Sequence, residues 1–157
     1  MSILIKNAQI WNGGQILPSQ NLLIENGKIA KIDSLPMKAQ RTIDAEEGLL
    51  IPGFVDAHTH LPMSLMRGSG EDMPLQKWLT ERIFPLEAKL DDEAAYYGTM
   101  LSLIELARSG TTGLIDMYFF SEAIARAVEK SGMRALLSRC ITGGSVAEAQ
   151  ERMKEAD

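Results

Sequence analysis

Ile51-Pro-Gly-Phe-Val-Asp-Ala-His-Thr-His60 is the most informative stretch of this 157-residue chain. Its Pro-Gly pair favours a turn, and the residues that follow are typical of a buried strand. Because successive side chains of a strand point to opposite faces, alternation predicts one shared face for Phe54, Asp56, His58 and His60. The other face then carries Val55, Ala57 and Thr59. The two histidines are therefore expected to point the same way from the end of one strand.

His58 and His60 are the only histidines in the chain, and their spacing suits a metal site. Two imidazoles on one strand face can converge on a single ion, and neutral imidazole is the commonest side-chain metal ligand. His-x-His alone is a weak signal, and the alternative is that both rings end a strand and face solvent. The preceding turn and the in-line Asp56 favour the metal site, with Asp56 as a carboxylate that orients a ligand.

The motif from Pro52 to His60 resembles the first-strand signature of the amidohydrolase superfamily. The segments after it, residues 61–68, 78–79 and 84–87, are similar to the methylthioadenosine/S-adenosylhomocysteine deaminases and their chlorohydrolase-like relatives. The resemblance implies that His58 and His60 hold a divalent metal, above all zinc, at the C-terminal end of strand one of a (β/α)8 barrel. It covers most of this chain, but much less than half of such an enzyme.

The activity implied by the resemblance is metal-dependent hydrolytic deamination of an adenine nucleoside, a small-molecule substrate. The resemblance also assigns substrate contacts to Glu87, which would accept hydrogen bonds from ribose hydroxyls, and to Arg139. The alternatives for these two residues are a solvated surface carboxylate and an ion pair at the barrel rim. Beyond the metal ligands, no catalytic residue is assigned within this chain, because the family's other ligands and proton shuttles belong to later strands.

Other functions stay open. Guanine deamination and triazine dechlorination use the same first strand within the superfamily, and the length also suits a non-catalytic truncated product or one half of a split enzyme. A complete barrel takes about 250 residues. The chain alone is therefore expected to be inactive and to need further polypeptide, or an oligomer, to complete the barrel.

The expected fold class is α/β, with a partial β-sandwich domain over residues 1–50 and the first βα units of an incomplete TIM barrel over residues 51–157. Short strands are predicted at residues 2–10 and 21–33, and Asn26-Gly27 within the second range predicts a hairpin turn. After His60, helices alternate with strands, which predicts parallel pairing. The barrel strands after the first are predicted at residues 112–118 and 134–140.

Local signals predict where the helices of the second half begin and end. Pro85 is expected to interrupt the helix that contains Trp78, and Trp78 itself to pack in the core. Three residues are predicted to cap the later helices: Asp91, Ser121 and Ser145. The helix after Asp91 is expected to bury a broad apolar face that includes Leu101, Ile104, Leu106 and Ala107. Asp116, near the end of a barrel strand, is expected to have a structural role.

Composition and charge indicate a soluble cytoplasmic protein. The net charge of −5 and the lack of any Lys/Arg run give no indication of a nucleic-acid or membrane partner. Cys140 is the single cysteine, so no intrachain disulfide can form, which suits a reducing compartment. The N-terminal residues lack the basic and apolar regions of a signal peptide.

Overall fold

The structure is a computed structural model that describes residues 1–139 and 145–154. The strands are β1 (Ser2–Trp11), β2 (Ile16–Glu25), β3 (Lys28–Asp33), β4 (Arg41–Asp44), β5 (Leu49–Leu50), β6 (Phe54–Thr59), β7 (Thr111–Tyr118) and β8 (Arg134–Arg139). The α-helices are α1 (Leu75–Trp78), α2 (Phe84–Glu87), α3 (Asp92–Arg108), α4 (Ser121–Ser131) and α5 (Val146–Lys154). A 3-10 turn (Leu61–Met66) follows β6, and a π turn (Leu79–Ile83) joins α1 to α2. The chain divides into two compact units, Met1–Pro52 and Gly53–Asp157.

The N-terminal unit contains one five-stranded mixed sheet. Its order is β3-β2-β1-β4, with β5 also paired to β1; β4 and β5 run parallel to β1. Asn26 and Gly27 join the antiparallel strands β2 and β3 with positive φ angles of 51° and 74°, which confirms the predicted hairpin. The core of the sheet is formed by Ala8, Ile10 and Leu22. This sheet is a single layer, and a sandwich around it stays a prediction.

β2 begins earlier than the sequence predicted. The expected strand started at residue 21, but Ile16 and Leu17 already pair with Trp11 and Ile10 at the end of β1. The cause is the tight turn before them, in which the Asn12 side chain accepts hydrogen bonds from the backbone N–H groups of residues 14 and 15. Pairing therefore starts directly after the turn.

The C-terminal unit is built on a parallel sheet with the order β6-β7-β8. The segment from the 3-10 turn to α3 connects β6 to β7, and α4 connects β7 to β8, as the alternation of strands and helices predicted. Both helices contribute to a core with the central strand. Its buried residues are Leu61, Leu103, Leu114, Tyr118, Ile124, Ala127 and Val128.

The predicted helix starts are correct at Asp91 and wrong at Ser121. The Asp91 side chain accepts a hydrogen bond from the Ala94 N–H at 2.8 Å, as an N-cap does. Ser121 is already the first residue of α4, and Phe120 precedes it with a left-handed backbone, φ 60°. Only residues 119 and 120 separate β7 from α4, and the helix starts one residue earlier than the serine signal indicates. α5 starts directly after Ser145, while Cys140 lies outside the described residues.

Pro85 does not break the helical segment that it was expected to interrupt. α1, the π turn and α2 follow one another without a gap, and Pro85 lies in the first turn of α2. Proline has no N–H to donate to the preceding turn, so a continuous helix must change its hydrogen-bond pattern where a proline enters it. The wide turn before it is the place where the hydrogen-bond register changes. Trp78 is only half-buried, and its indole N–H donates to the Ser69 carbonyl at 3.1 Å, so it packs against a loop.

The buried face of α3 differs from the predicted one. Leu103 is buried, whereas Leu101 and Ile104 are 40% and 54% exposed. Small residues form most of the buried face, and sequence hydrophobicity does not mark them: Ala95, Gly98 and Thr99. Close packing of Gly98 against the 3-10 turn selects this face. Within the described residues, no helix combines the length and the apolar character needed to cross a bilayer.

Candidate metal centre

The two histidine rings converge at the end of β6. His58 Nε2 and His60 Nε2 are 3.3 Å apart, with ring centroids separated by 4.9 Å and planes inclined at 79°. His58 is exposed and His60 is half-buried, so the shared point is open to solvent on one side. The convergence expected from the spacing is therefore present, while metal ligation stays a prediction.

The separation of the two nitrogens fits a zinc ion. Nitrogens placed about 2.0–2.1 Å from zinc at tetrahedral angles lie about 3.3–3.4 Å from each other. The observed 3.3 Å matches that spacing. Without an ion, the same distance is compatible with a long hydrogen bond between the rings. The spacing is thus that of two neighbouring positions in a tetrahedral set, and the described residues contain no group of three or more metal-ligating side chains.

Strict alternation fails along β6, and this changes the place of Asp56. Asp56 pairs with Leu114 and Thr59 pairs with Asp116, so three steps on β6 match two on β7. Such a bulge adds one residue to a strand and re-aims the side chains after it. Asp56 therefore shares a sheet face with Thr59 and not with His60, contrary to the predicted common face. Its carboxylate accepts a hydrogen bond from the His58 backbone N–H at 3.3 Å, so it contacts His58 through the main chain.

The main chain of β7 orients the His60 ring. His60 Nδ1 lies 2.7 Å from the carbonyl oxygen of Met117. A carbonyl only accepts, so Nδ1 is the donor, and in the neutral ring Nε2 then carries the lone pair. A metal-binding histidine commonly has such a hydrogen bond on its second nitrogen, which fixes both tautomer and ring orientation. His60 is thus prepared to bind an ion through Nε2.

Asp116 is hydrogen-bonded to the residues on both sides of His60. Its Oδ1 accepts hydrogen bonds of 2.8 Å from the Leu61 N–H and from the Thr59 hydroxyl. The side chain is 1% exposed, and this burial raises the pKa of the Asp116 carboxyl, while the hydrogen bond from Leu61 acts in the opposite direction. The structural role of Asp116 is therefore to hold in place the two residues next to His60, a candidate metal ligand.

α3 fixes the 3-10 turn that follows His60. Ser102 Oγ donates to the Leu61 carbonyl at 2.7 Å, and Ser64 Oγ donates to the Gly98 carbonyl at 2.8 Å. A Cβ atom at Gly98 would lie 2.8 Å from the Pro62 carbonyl oxygen, so only glycine allows this approach. The turn is therefore anchored to a long helix, and the His60 backbone with it.

Glu87 is connected to the same end of the sheet through Tyr118. The Tyr118 hydroxyl donates a hydrogen bond of 2.7 Å to Glu87 Oε1, and the Tyr118 ring lies 6.0 Å from the His60 ring between centroids. Tyr118 was not singled out from the sequence. Its place at the end of β7, in alternation with Leu114 and Asp116, is the signal that would have found it.

Arg139 is the last residue of β8 and lies opposite Tyr118 in the strand register. It is half-buried, and it takes part in an interaction within the fold. The ends of β6, β7 and β8 lie at one edge of a parallel sheet, so Arg139, Tyr118 and the histidines are at the same end. Substrate contact by Glu87 and Arg139 stays a prediction.

Residues 49–157 match the model of the amidohydrolase family. The chain is 48% identical over 139 residues to 5'-deoxyadenosine deaminase of Methanocaldococcus jannaschii, covering 87% of this chain and 32% of that protein. It is also 48% identical over 136 residues to 5-methylthioadenosine/S-adenosylhomocysteine deaminase 1 of Archaeoglobus fulgidus, with the same two shares. The chain thus spans about a third of the length of these curated relatives.

Solved structures show the same fold. An adenosine deaminase from Xanthomonas campestris with bound zinc superposes with a TM-score of 0.83 at 30% identity, over 98% of this chain and 38% of that one. Atrazine chlorohydrolase from Arthrobacter aurescens, complexed with zinc, gives 0.79 at 22% identity over 90% and 36%. At that identity the second likeness concerns the fold alone. The predicted α/β class is confirmed, and this chain is part of a larger barrel domain.

Proposed function

Because the chain belongs to the amidohydrolase family, we propose that it carries the first part of the active site of a metal-dependent adenine-nucleoside deaminase. The observation that supports this most is the joint placement of two converging imidazoles and of Glu87 at one end of the sheet. The curated relatives named above are deaminases of 5'-deoxyadenosine and of 5-methylthioadenosine and S-adenosylhomocysteine. Their names point to an adenine nucleoside as the substrate class.

In this proposal, His58 and His60 hold a divalent cation, with zinc as the preferred ion. The 3.3 Å nitrogen spacing supports the assignment, as does the zinc bound in the related adenosine deaminase. When bound, such an ion acts as a Lewis acid and activates water for hydrolysis. The chain's own contribution is to present two nitrogen lone pairs, one of which the Met117 carbonyl orients. The remaining ligands would come from further polypeptide that completes the barrel.

Glu87 is proposed to bind the ribose, and Arg139 to contact the substrate at the neighbouring strand end. An ionised carboxylate has about four lone-pair sites, so it can accept from two vicinal hydroxyls while it keeps the bond from Tyr118. Both residues act on binding and orientation. A free base lacks the ribose and cannot use Glu87.

The test is Glu87→Ala in the complete protein, assayed on adenosine and on adenine. Charge-assisted hydrogen bonds contribute about 1.5–3 kcal/mol each, so the loss of one should lower kcat/KM for adenosine by about 10- to 150-fold. Turnover of adenine and the metal content should not change. The matched control is Glu81→Ala, which removes an exposed carboxylate from the same helical segment. Equal losses on nucleoside and base, or no loss on the nucleoside, would transfer the assignment to the free-base or triazine branch of the family.

A further inference from the structure

We propose that Tyr118 is a positioning residue that fixes Glu87 and so makes the site selective for nucleosides over free bases. The inference rests on the proposed function, because it assigns to Tyr118 the orientation of the residue that binds ribose. It assigns no contact between Tyr118 and the substrate.

The hydrogen bond from Tyr118 to Glu87 joins the central strand β7 to the end of α2. Tyr118 is the last residue of the central strand, is 4% exposed and belongs to the core cluster with Leu61 and Leu114. Glu87 is half-buried and is the last residue of the continuous helical segment 75–87, in which Ile83 is the buried residue. A carboxylate only accepts, so the phenol donates. The 2.7 Å hydrogen bond therefore holds the Glu87 carboxylate at a fixed place relative to the end of β7.

Position is what a ribose-binding carboxylate requires. Without a fixed partner, a long acidic side chain samples several rotamers, and binding must then stop that motion at a cost in affinity. The hydroxyl of Tyr118 holds one rotamer before the substrate arrives. The Tyr118 ring also lies 6.0 Å from the His60 ring between centroids. One buried side chain therefore contacts the proposed ribose-binding carboxylate and lies beside a proposed metal ligand. A substrate that reaches both the Glu87 carboxylate and the proposed metal site is thereby favoured.

The test is Tyr118→Phe in the complete protein, which removes the hydroxyl and keeps the ring in the core. We expect kcat/KM for adenosine to fall by about 2- to 10-fold, the equivalent of one net hydrogen bond, mainly through KM. Turnover of adenine should be unchanged. The matched control is Tyr97→Phe, which removes a hydroxyl from a tyrosine that is 59% exposed on α3 and should alter neither substrate.

A double-mutant cycle separates positioning from general stability. If Tyr118 acts through Glu87, adding Tyr118→Phe to Glu87→Ala should cause no further loss on adenosine. Titration calorimetry with adenosine repeats the comparison as a binding constant, independent of turnover. A further loss in the double variant, an equal loss on adenine, or an unchanged KM in the single variant would overturn the inference. If Glu87→Ala itself spares adenosine, the proposed function is wrong, and the inference fails with it.

Discussion

The two histidines differ in how firmly the protein holds them. The His60 ring is hydrogen-bonded to the Met117 carbonyl, and Asp116 accepts hydrogen bonds from the Thr59 hydroxyl before it and from the Leu61 N–H after it. His58 is exposed, and its backbone N–H reaches the Asp56 side chain at 3.3 Å. Fixing one ligand before the ion arrives lowers the entropy lost on binding. His60 is therefore the better-ordered half of the candidate site.

We expect Asp116→Ala to weaken zinc binding without removing a ligand. Loss of the carboxylate leaves the buried Leu61 N–H unpaired and releases the backbone around His60. Outer contacts of this kind are worth about 10- to 100-fold in metal affinity, and the unpaired group costs about 1–3 kcal/mol in unfolding free energy. Competition with a chromophoric chelator measures the affinity, with Asp92→Ala, an exposed carboxylate on α3, as the control. An unchanged affinity in a folded Asp116→Ala protein would contradict the prediction.

At the level of elements, α3 positions the site through a small-residue face. Gly98 allows the 3-10 turn to approach, and the hydroxyls of Ser102 and Ser64 tie the turn to the helix. A glycine inside a helix costs about 1 kcal/mol relative to alanine. Its presence at the contact indicates that the approach of the turn matters more than the helix propensity.

We expect Gly98→Ala to destabilise the protein even though alanine is the better helix former. The new Cβ would meet the Pro62 carbonyl oxygen at 2.8 Å and the Leu65 side chain at 2.9 Å. Overpacking of this kind costs about 1–3 kcal/mol. Denaturant unfolding measures the change, and the double variant Gly98→Ala/Leu65→Ala is the comparison. The double variant should not recover, because the backbone oxygen of Pro62 remains; a Gly98→Ala protein as stable as the parent would refute this.

At the scale of the whole molecule, the sheet of the C-terminal unit exposes apolar side chains on one face. The register places Val55, Ile115 and Leu136 on the same side of the sheet, and they are 68%, 38% and 64% exposed. In a closed barrel such residues fill the interior in layers. Exposed patches of this kind mark surfaces that other protein covers. We propose that further barrel polypeptide covers this face in the complete enzyme.

We therefore expect the isolated chain to self-associate and to show no deaminase turnover. Leu136→Lys should reduce the self-association, because a charge on that face opposes its burial. Leu35→Lys is the control, since Leu35 is equally exposed, at 63%, but lies in the N-terminal unit. Analytical ultracentrifugation measures the association state. A demonstrated monomer with a cooperative thermal transition, or with turnover, would refute the expectation.

Much of the fold follows from local chemistry. The hairpin at Asn26-Gly27, the cap at Asp91 and the glycine after α4 at Gly132 depend on the backbone preferences of a few neighbouring residues. On α3, where the periodicity of apolar residues failed to predict the buried face, a longer-range contact decided. Ile104 is exposed because small residues on another side of α3 meet the 3-10 turn, and no periodicity of apolar residues shows that choice.

The features of the candidate site also divide into those that local sequence predicts and those that depend on tertiary contacts. The pairing of His58 with His60 was visible in the sequence because two residues on one strand end keep their spacing in almost any parallel sheet. The hydrogen bond from His60 to Met117 joins residues 57 positions apart, and the one from Tyr118 to Glu87 joins residues 31 apart. Those contacts depend on strand register, on a bulge after Asp56 and on the packing of α3. The convergence of His58 and His60 was thus visible in the sequence alone, whereas the contacts that orient the His60 ring were decided by tertiary structure, because register and packing arise only when distant segments meet.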